Sequence, residues 1–149
     1  MEGIMRFLAV FFLGCSLVLL NAQGQVTVTI GTGTSYNSST SYPAPYGNWY
    51  GGARHQILVR ASEITGAGGS AGYITSLGFN VFATNSSAAL QNFTIKLKQT
   101  TATSVTGWDL TGWTTVYSVT SYTVTTGWNT HTFSTPFAWD GTSNLLLEV

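Results

Sequence analysis

The chain has 149 residues, of which 44% are hydrophobic and only 7% charged, and its five basic and five acidic side chains cancel to zero. That balance excludes the basic stripe by which a protein holds nucleic acid and the blocks of like charge that mark disordered tails. One cysteine and two histidines rule out a disulfide framework and leave a zinc site short of donors.

Arg6 precedes an apolar run at residues 7–20, which ends in Asn21-Ala22-Gln23. A bilayer-spanning helix needs roughly 20 residues. A shorter apolar stretch between a basic residue and small residues is the anatomy of an export signal. Residues 1–22 are therefore predicted to be a signal peptide cut before Gln23, with Met5 as an alternative start. Cys15 lies inside the apolar run behind Phe12-Leu13-Gly14, a poor lipidation motif, and is expected to leave with the signal. The mature protein is expected outside the cell or on its surface, with no membrane span. Residues 23–149 suffice for one domain, which at this size buries about two-thirds of its unfolded surface without staples.

In residues 26–30, Val-Thr-Val-Thr-Ile alternates apolar and hydroxyl side chains with period two, which predicts a half-buried strand. Ile57-Leu58-Val59 is a short apolar run. Ala61-Ser62-Glu63-Ile64 predicts one helical turn, the only helix expected. Leu77, Phe79 and Val81 alternate with polar or small residues. Phe93, Ile95 and Leu97 alternate with Thr94, Lys96 and Lys98, giving one core face and one cationic face in water, where lysine discourages edge pairing. Further strands are predicted at 114–119, 121–125, 130–134 and 145–149 from their β-branched and aromatic content. Turn residues separate them, including Gly66-Ala67-Gly68-Gly69, Asn85-Ser86-Ser87, Gly127 and Asp140-Gly141. The predicted fold is all-β, a jelly-roll-like sandwich of two antiparallel sheets.

Residues 31–52 hold Tyr36, Tyr42, Pro43, Pro45, Tyr46, Trp49 and Tyr50 among Ser, Gly and Asn, which predicts a long ordered loop. The sequence stops inside the strand-like Leu145-Leu146-Leu147-Glu148-Val149, so the domain is expected to be truncated at that end and the protein to be longer.

Ile30-Gly31-Thr32-Gly33-Thr34, Tyr42-Pro43-Ala44-Pro45-Tyr46-Gly47, Ala53-Arg54-His55-Gln56, Ala61-Ser62-Glu63-Ile64, Ile74-Thr75-Ser76-Leu77 and Trp139-Asp140-Gly141-Thr142-Ser143-Asn144-Leu145 together span most of the mature chain. In these pieces it resembles the N-terminal module of large secreted surface proteins of Bacteroidetes-type bacteria, carried by the type IX route. The resemblance implies a jelly-roll sandwich, a cell-surface location and a binding or adhesive role, with no catalytic residues to carry over. The C-terminal sorting domain of such proteins is absent from this sequence.

Thr-Gly-Trp occurs three times, ending at Trp108, Trp113 and Trp128. Exposed tryptophans would stack on the apolar face of a pyranose, with Asp109, Asn129 and threonine hydroxyls orienting it. The alternative is structural: glycine makes a turn or bulge and tryptophan caps the core. Tyr46 and Trp49 are a second candidate surface, because tyrosine and tryptophan supply stiff contact area; self-packing over the sandwich end is the alternative. Asp140-Gly141-Thr142-Ser143-Asn144 offers a weak calcium candidate at Asp140, since calcium wants six to eight oxygens and an Asp-Gly pair is also a hairpin turn. His55 and His131 are expected to be strand residues with one hydrogen bond each. No Gly-x-Ser-x-Gly elbow and no paired carboxylates are present, so no enzyme and no cofactor is expected. The expected function is a non-catalytic extracellular module that binds neutral polysaccharide or a cell-surface protein. A structural spacer or adhesin module, or an accessory domain of a secreted hydrolase, are the alternatives.

Overall fold

A computed structural model describes residues 24–33, 36, 44–47, 51–84 and 88–149. Its elements are β1 (Gln56–Val59), α1 (Ala61–Gly66), β2 (Gly72–Val81), β3 (Leu90–Thr100), β4 (Thr114–Tyr122), β5 (Gly127–Trp139) and β6 (Asn144–Glu148). All strand pairs are antiparallel. Four strands form one sheet in the order β1-β6-β3-β4, and β2 pairs with β5 in a second. The protein is an all-β two-sheet sandwich. Among the described residues, no helix is long and apolar enough to cross a membrane.

Alternation builds the core. On β3, Phe93, Ile95 and Leu97 are buried while Thr94, Lys96 and Lys98 face outward. Leu145 and Leu147 of β6 join them, and β5 contributes Phe133, Phe137 and Trp139 from the other sheet. Ile64 of α1 closes one end. The helix starts where Glu63 accepts a hydrogen bond from the Arg60 backbone N–H at 2.7 Å, and Asn144 accepts one from Ala61 N at 2.8 Å.

Two irregularities shape the sheets. Ile95 pairs with Tyr117 and Lys96 with Thr115, so Val116 is an extra residue on β4. This bulge lets two consecutive side chains, Val116 and Tyr117, reach the core. On β5 the ladder to β2 breaks between Thr132 and Phe137. Pro136 lies there and lacks the N–H a ladder requires. Ser134 in that break donates to Val116 O at 3.2 Å, linking the two sheets.

Some sequence expectations change. Residues 26–30 form no strand: Val26 and Ile30 are exposed, and only Val28 packs on the core. Gln25 reaches Thr75 of β2 through its side chain at 2.9 Å, without a backbone ladder. Residues 121–125 are not a separate strand; β4 runs through to Tyr122 and then turns. The predicted signal segment, most of the aromatic loop and the Asn85 turn lie outside the described residues.

Candidate functional site

The outward face of the four-stranded sheet collects most of the charge of residues 23–149. Register puts Gln56, Glu148 and Lys96 in one row across β1, β6 and β3, and Leu58, Leu146 and Lys98 in the next. Antiparallel neighbours in one row share a face, so these side chains meet although they lie far apart in sequence. With Arg54 just before β1 and Asp109 from the β3–β4 loop, five of the eight charged residues of segment 23–149 are here.

Glu148 is the hub. Its side chain is only 4% exposed. Arg54 donates to it through Nε at 2.8 Å and through Nη2, Gln56 through Nε2 at 2.7 Å, and Lys96 through Nζ at 2.9 Å. Burial pushes the Glu148 carboxyl up, but the hydrogen bonds from Gln56, Arg54 and Lys96 outweigh it and hold the group below its ordinary value. The carboxylate stays charged because every donor around it is aimed at it.

The β3–β4 loop, residues 101–113, folds over the same face. Gln56 Nε2 donates to Asp109 O at 2.6 Å, and Asp109 N donates to Gln56 Oε1 at 2.9 Å. Lys98 Nζ donates to Asp109 Oδ2 at 2.7 Å and to Thr111 O at 3.0 Å. The hydrogen bond from Lys98 leads the effects that hold the partly exposed Asp109 carboxyl below its usual range. Leu146 lies beneath the loop and is buried on the outward side of its sheet.

Two of the three Thr-Gly-Trp tryptophans belong to this loop and behave differently. Trp113 is half-buried; its Nε1 donates to Asp109 O at 3.2 Å, and Lys98 Nζ lies 5.9 Å from its ring centre. It wedges the loop in place. Trp108 is 60% exposed, with the Arg54 guanidinium 5.3 Å from its ring centre. Trp128 is 58% exposed but sits on the other sheet, where its ring edge lies over Gly78 of β2. A Cβ on Gly78 would come within 3.4 Å of that ring. The third tryptophan therefore shares no platform with the first two.

Tyr46 is drawn into the core seam. Its ring lies 5.4–6.0 Å from those of Phe79, Phe93, Tyr122 and His131, and its hydroxyl is 2.8 Å from His131 Nε2. Burial first, then the Tyr122 and Tyr117 hydroxyls, push its phenol well above the ordinary value. Trp49 lies outside the described residues. Asp140 caps the β5–β6 turn, accepting from Thr142 N at 2.8 Å, Ser143 N at 2.7 Å and Ser143 Oγ at 2.6 Å. The Ser143 hydroxyl leads the hydrogen bonds that lower its carboxyl to about 2. Among the described residues, no three of His, Cys, Asp and Glu stand close enough together to hold a metal.

Two shallow hollows open on the charged face. One, of about 310 Å³, is lined by Ala53, Arg54, Thr94, Lys96, Glu148 and Val149. The other, of about 480 Å³, runs along Thr100, Ser104, Thr106, Trp108, Asp109 and Leu146. The sequence alone does not single out Arg54, Gln56, Lys96 and Glu148 as a group. A signal was present: each apolar run of β1, β3 and β6 carries a polar residue in its outward phase. Joining them required the strand order and register. No family model, no curated protein and no solved structure matches this chain.

Proposed function

We propose that this protein is a non-catalytic extracellular module of a larger exported surface protein, and that it binds polysaccharide on the outward face of its four-stranded sheet. One observation carries the reading. Trp108 is largely exposed on a loop whose next residue, Asp109, is anchored by four hydrogen bonds to Gln56, Lys98 and Trp113. A stiffly held aromatic ring loses little entropy on binding, and the CH face of a pyranose is its natural complement. Threonine and serine hydroxyls along the adjoining hollow supply partners for sugar hydroxyls. The charged groups on this face are paired with one another, which suits orientation of a ligand more than proton transfer to it.

A glycan array and affinity electrophoresis with the purified chain test this. Trp108→Ala should abolish retention while leaving the melting temperature unchanged, and Trp128→Ala should retain binding. Retention unaffected by Trp108→Ala, or no retention on any polysaccharide, would refute the assignment.

A further inference from the structure

We infer that the polysaccharide recognised here is anionic, with a carboxylate or sulfate oxygen held between Arg54 and Lys96 beside the sugar stacked on Trp108. The inference rests on the proposed polysaccharide-binding function and revises the neutral ligand expected from net charge.

The charge count of the whole chain is zero, but it is not spread evenly. Arg54, Lys96 and Lys98 share the face with only Glu148 and Asp109, while Arg60, Glu63 and Asp140 lie elsewhere. Lys98 and Asp109 form their own pair. That leaves two cations sharing one carboxylate at the hollow lined by Ala53, Arg54, Thr94, Lys96, Glu148 and Val149.

Exposure decides which sign a ligand meets. The Glu148 side chain is 4% exposed, whereas Arg54 is 45% and Lys96 35% exposed. Both Glu148 oxygens are already covered by donors, so an incoming group encounters the remaining N–H groups of the two cations. An anion that reached them would be bound by charge-assisted hydrogen bonds, the stronger kind. Thr94 in the same hollow adds a hydroxyl. Arg54 also lies against the Trp108 ring, so the anion position and the stacking position are contiguous. A sugar carrying its charge on the ring, or on the ring next to it, matches that spacing. The buried Glu148 does not repel such a group strongly, because the Arg54 and Lys96 cations lie between its carboxylate and the solvent side of the hollow.

The test compares matched polymers on the purified chain by affinity electrophoresis: polygalacturonate against its carboxyl-reduced counterpart, and dextran sulfate against dextran. The expected result is at least a ~10-fold preference for one charged polymer over its neutral match at low salt, shrinking as salt screens the interaction. The arm that shows it distinguishes carboxylate from sulfate. Lys96→Gln should narrow that ratio several-fold, and Lys96→Arg should keep it. A ratio near one, with retention still lost in Trp108→Ala, overturns the anionic ligand and leaves the polysaccharide reading standing. A preference that survives Lys96→Gln overturns the placement. No retention of any polymer removes the reading and the inference together.

Discussion

The side-chain amide of Gln56 pairs with the backbone of Asp109 in both directions, Nε2 to O at 2.6 Å and N to Oε1 at 2.9 Å, across 53 residues of sequence. The same Nε2 donates to Glu148, so a single amide docks the loop and supports the carboxylate hub. Gln56→Leu removes three hydrogen bonds, one of them to a buried charge. At about 1 kcal/mol for a neutral bond and somewhat more for a charged one, the variant should lose about 3 kcal/mol of stability in urea unfolding. The 101–113 loop should also become more sensitive to protease.

Glu148 makes stability depend on pH in a predictable direction. Its folded-state carboxyl titrates below its unfolded value. The unfolded chain therefore takes up a proton first as pH falls, and the stability from the hub, present above the unfolded value, is lost as pH drops through the folded one. Glu148→Gln should flatten that acid limb in a plot of melting temperature against pH. It should also lower stability at neutral pH by about 2 kcal/mol, because Arg54 and Lys96 lose their shared partner.

His131 acts in the same direction over a higher window. It is 1% exposed, its Nε2 faces the Tyr46 hydroxyl, and its Nδ1 has no hydrogen-bond partner among the described residues. Burial lowers its pKa from 6.5 to about 4. Between those values the unfolded state binds a proton that the folded state refuses, so stability falls as pH goes from about 6.5 to about 4, by on the order of 3 kcal/mol in full. His131→Phe should remove that slope, measured by urea unfolding at a series of pH values. An unchanged slope would contradict the buried neutral imidazole.

Gly141 sits in the turn capped by Asp140 with φ of +81°, and a Cβ there would lie 2.9 Å from the Cβ of Ala71. Gly141→Ala meets both a left-handed backbone and a rigid neighbour. A loss of about 2 kcal/mol is expected, read as a lower midpoint in urea with an unchanged slope. The melting temperature of the native chain should not respond to calcium, since the Asp140 oxygens already serve the turn.

Period-two alternation is enough to read the core face of β3, because burial of one side of a pleated strand imposes that period whatever the strand pairs with, whereas β1 and β6 are legible as short apolar runs. The short helix α1 is legible from its own few residues as well. Alternation misled at 26–30, where the pattern was present but no ladder formed. It also gave Lys96 and Lys98 a watery face, whereas Lys98 is partly roofed by the 101–113 loop and Lys96 is paired with Glu148.

Local chemistry, then, determined the all-β class, the alternating strands and the turn at Asp140-Gly141, because each depends on neighbours a few residues away. Tertiary structure alone decided that Arg54, Gln56, Lys96, Asp109 and Glu148 form one network, that Trp108 and Trp113 share it, and that Trp128 stands on the opposite sheet. Strand order and register place those groups, and both are set by how two sheets close over a common core, a property of the whole chain.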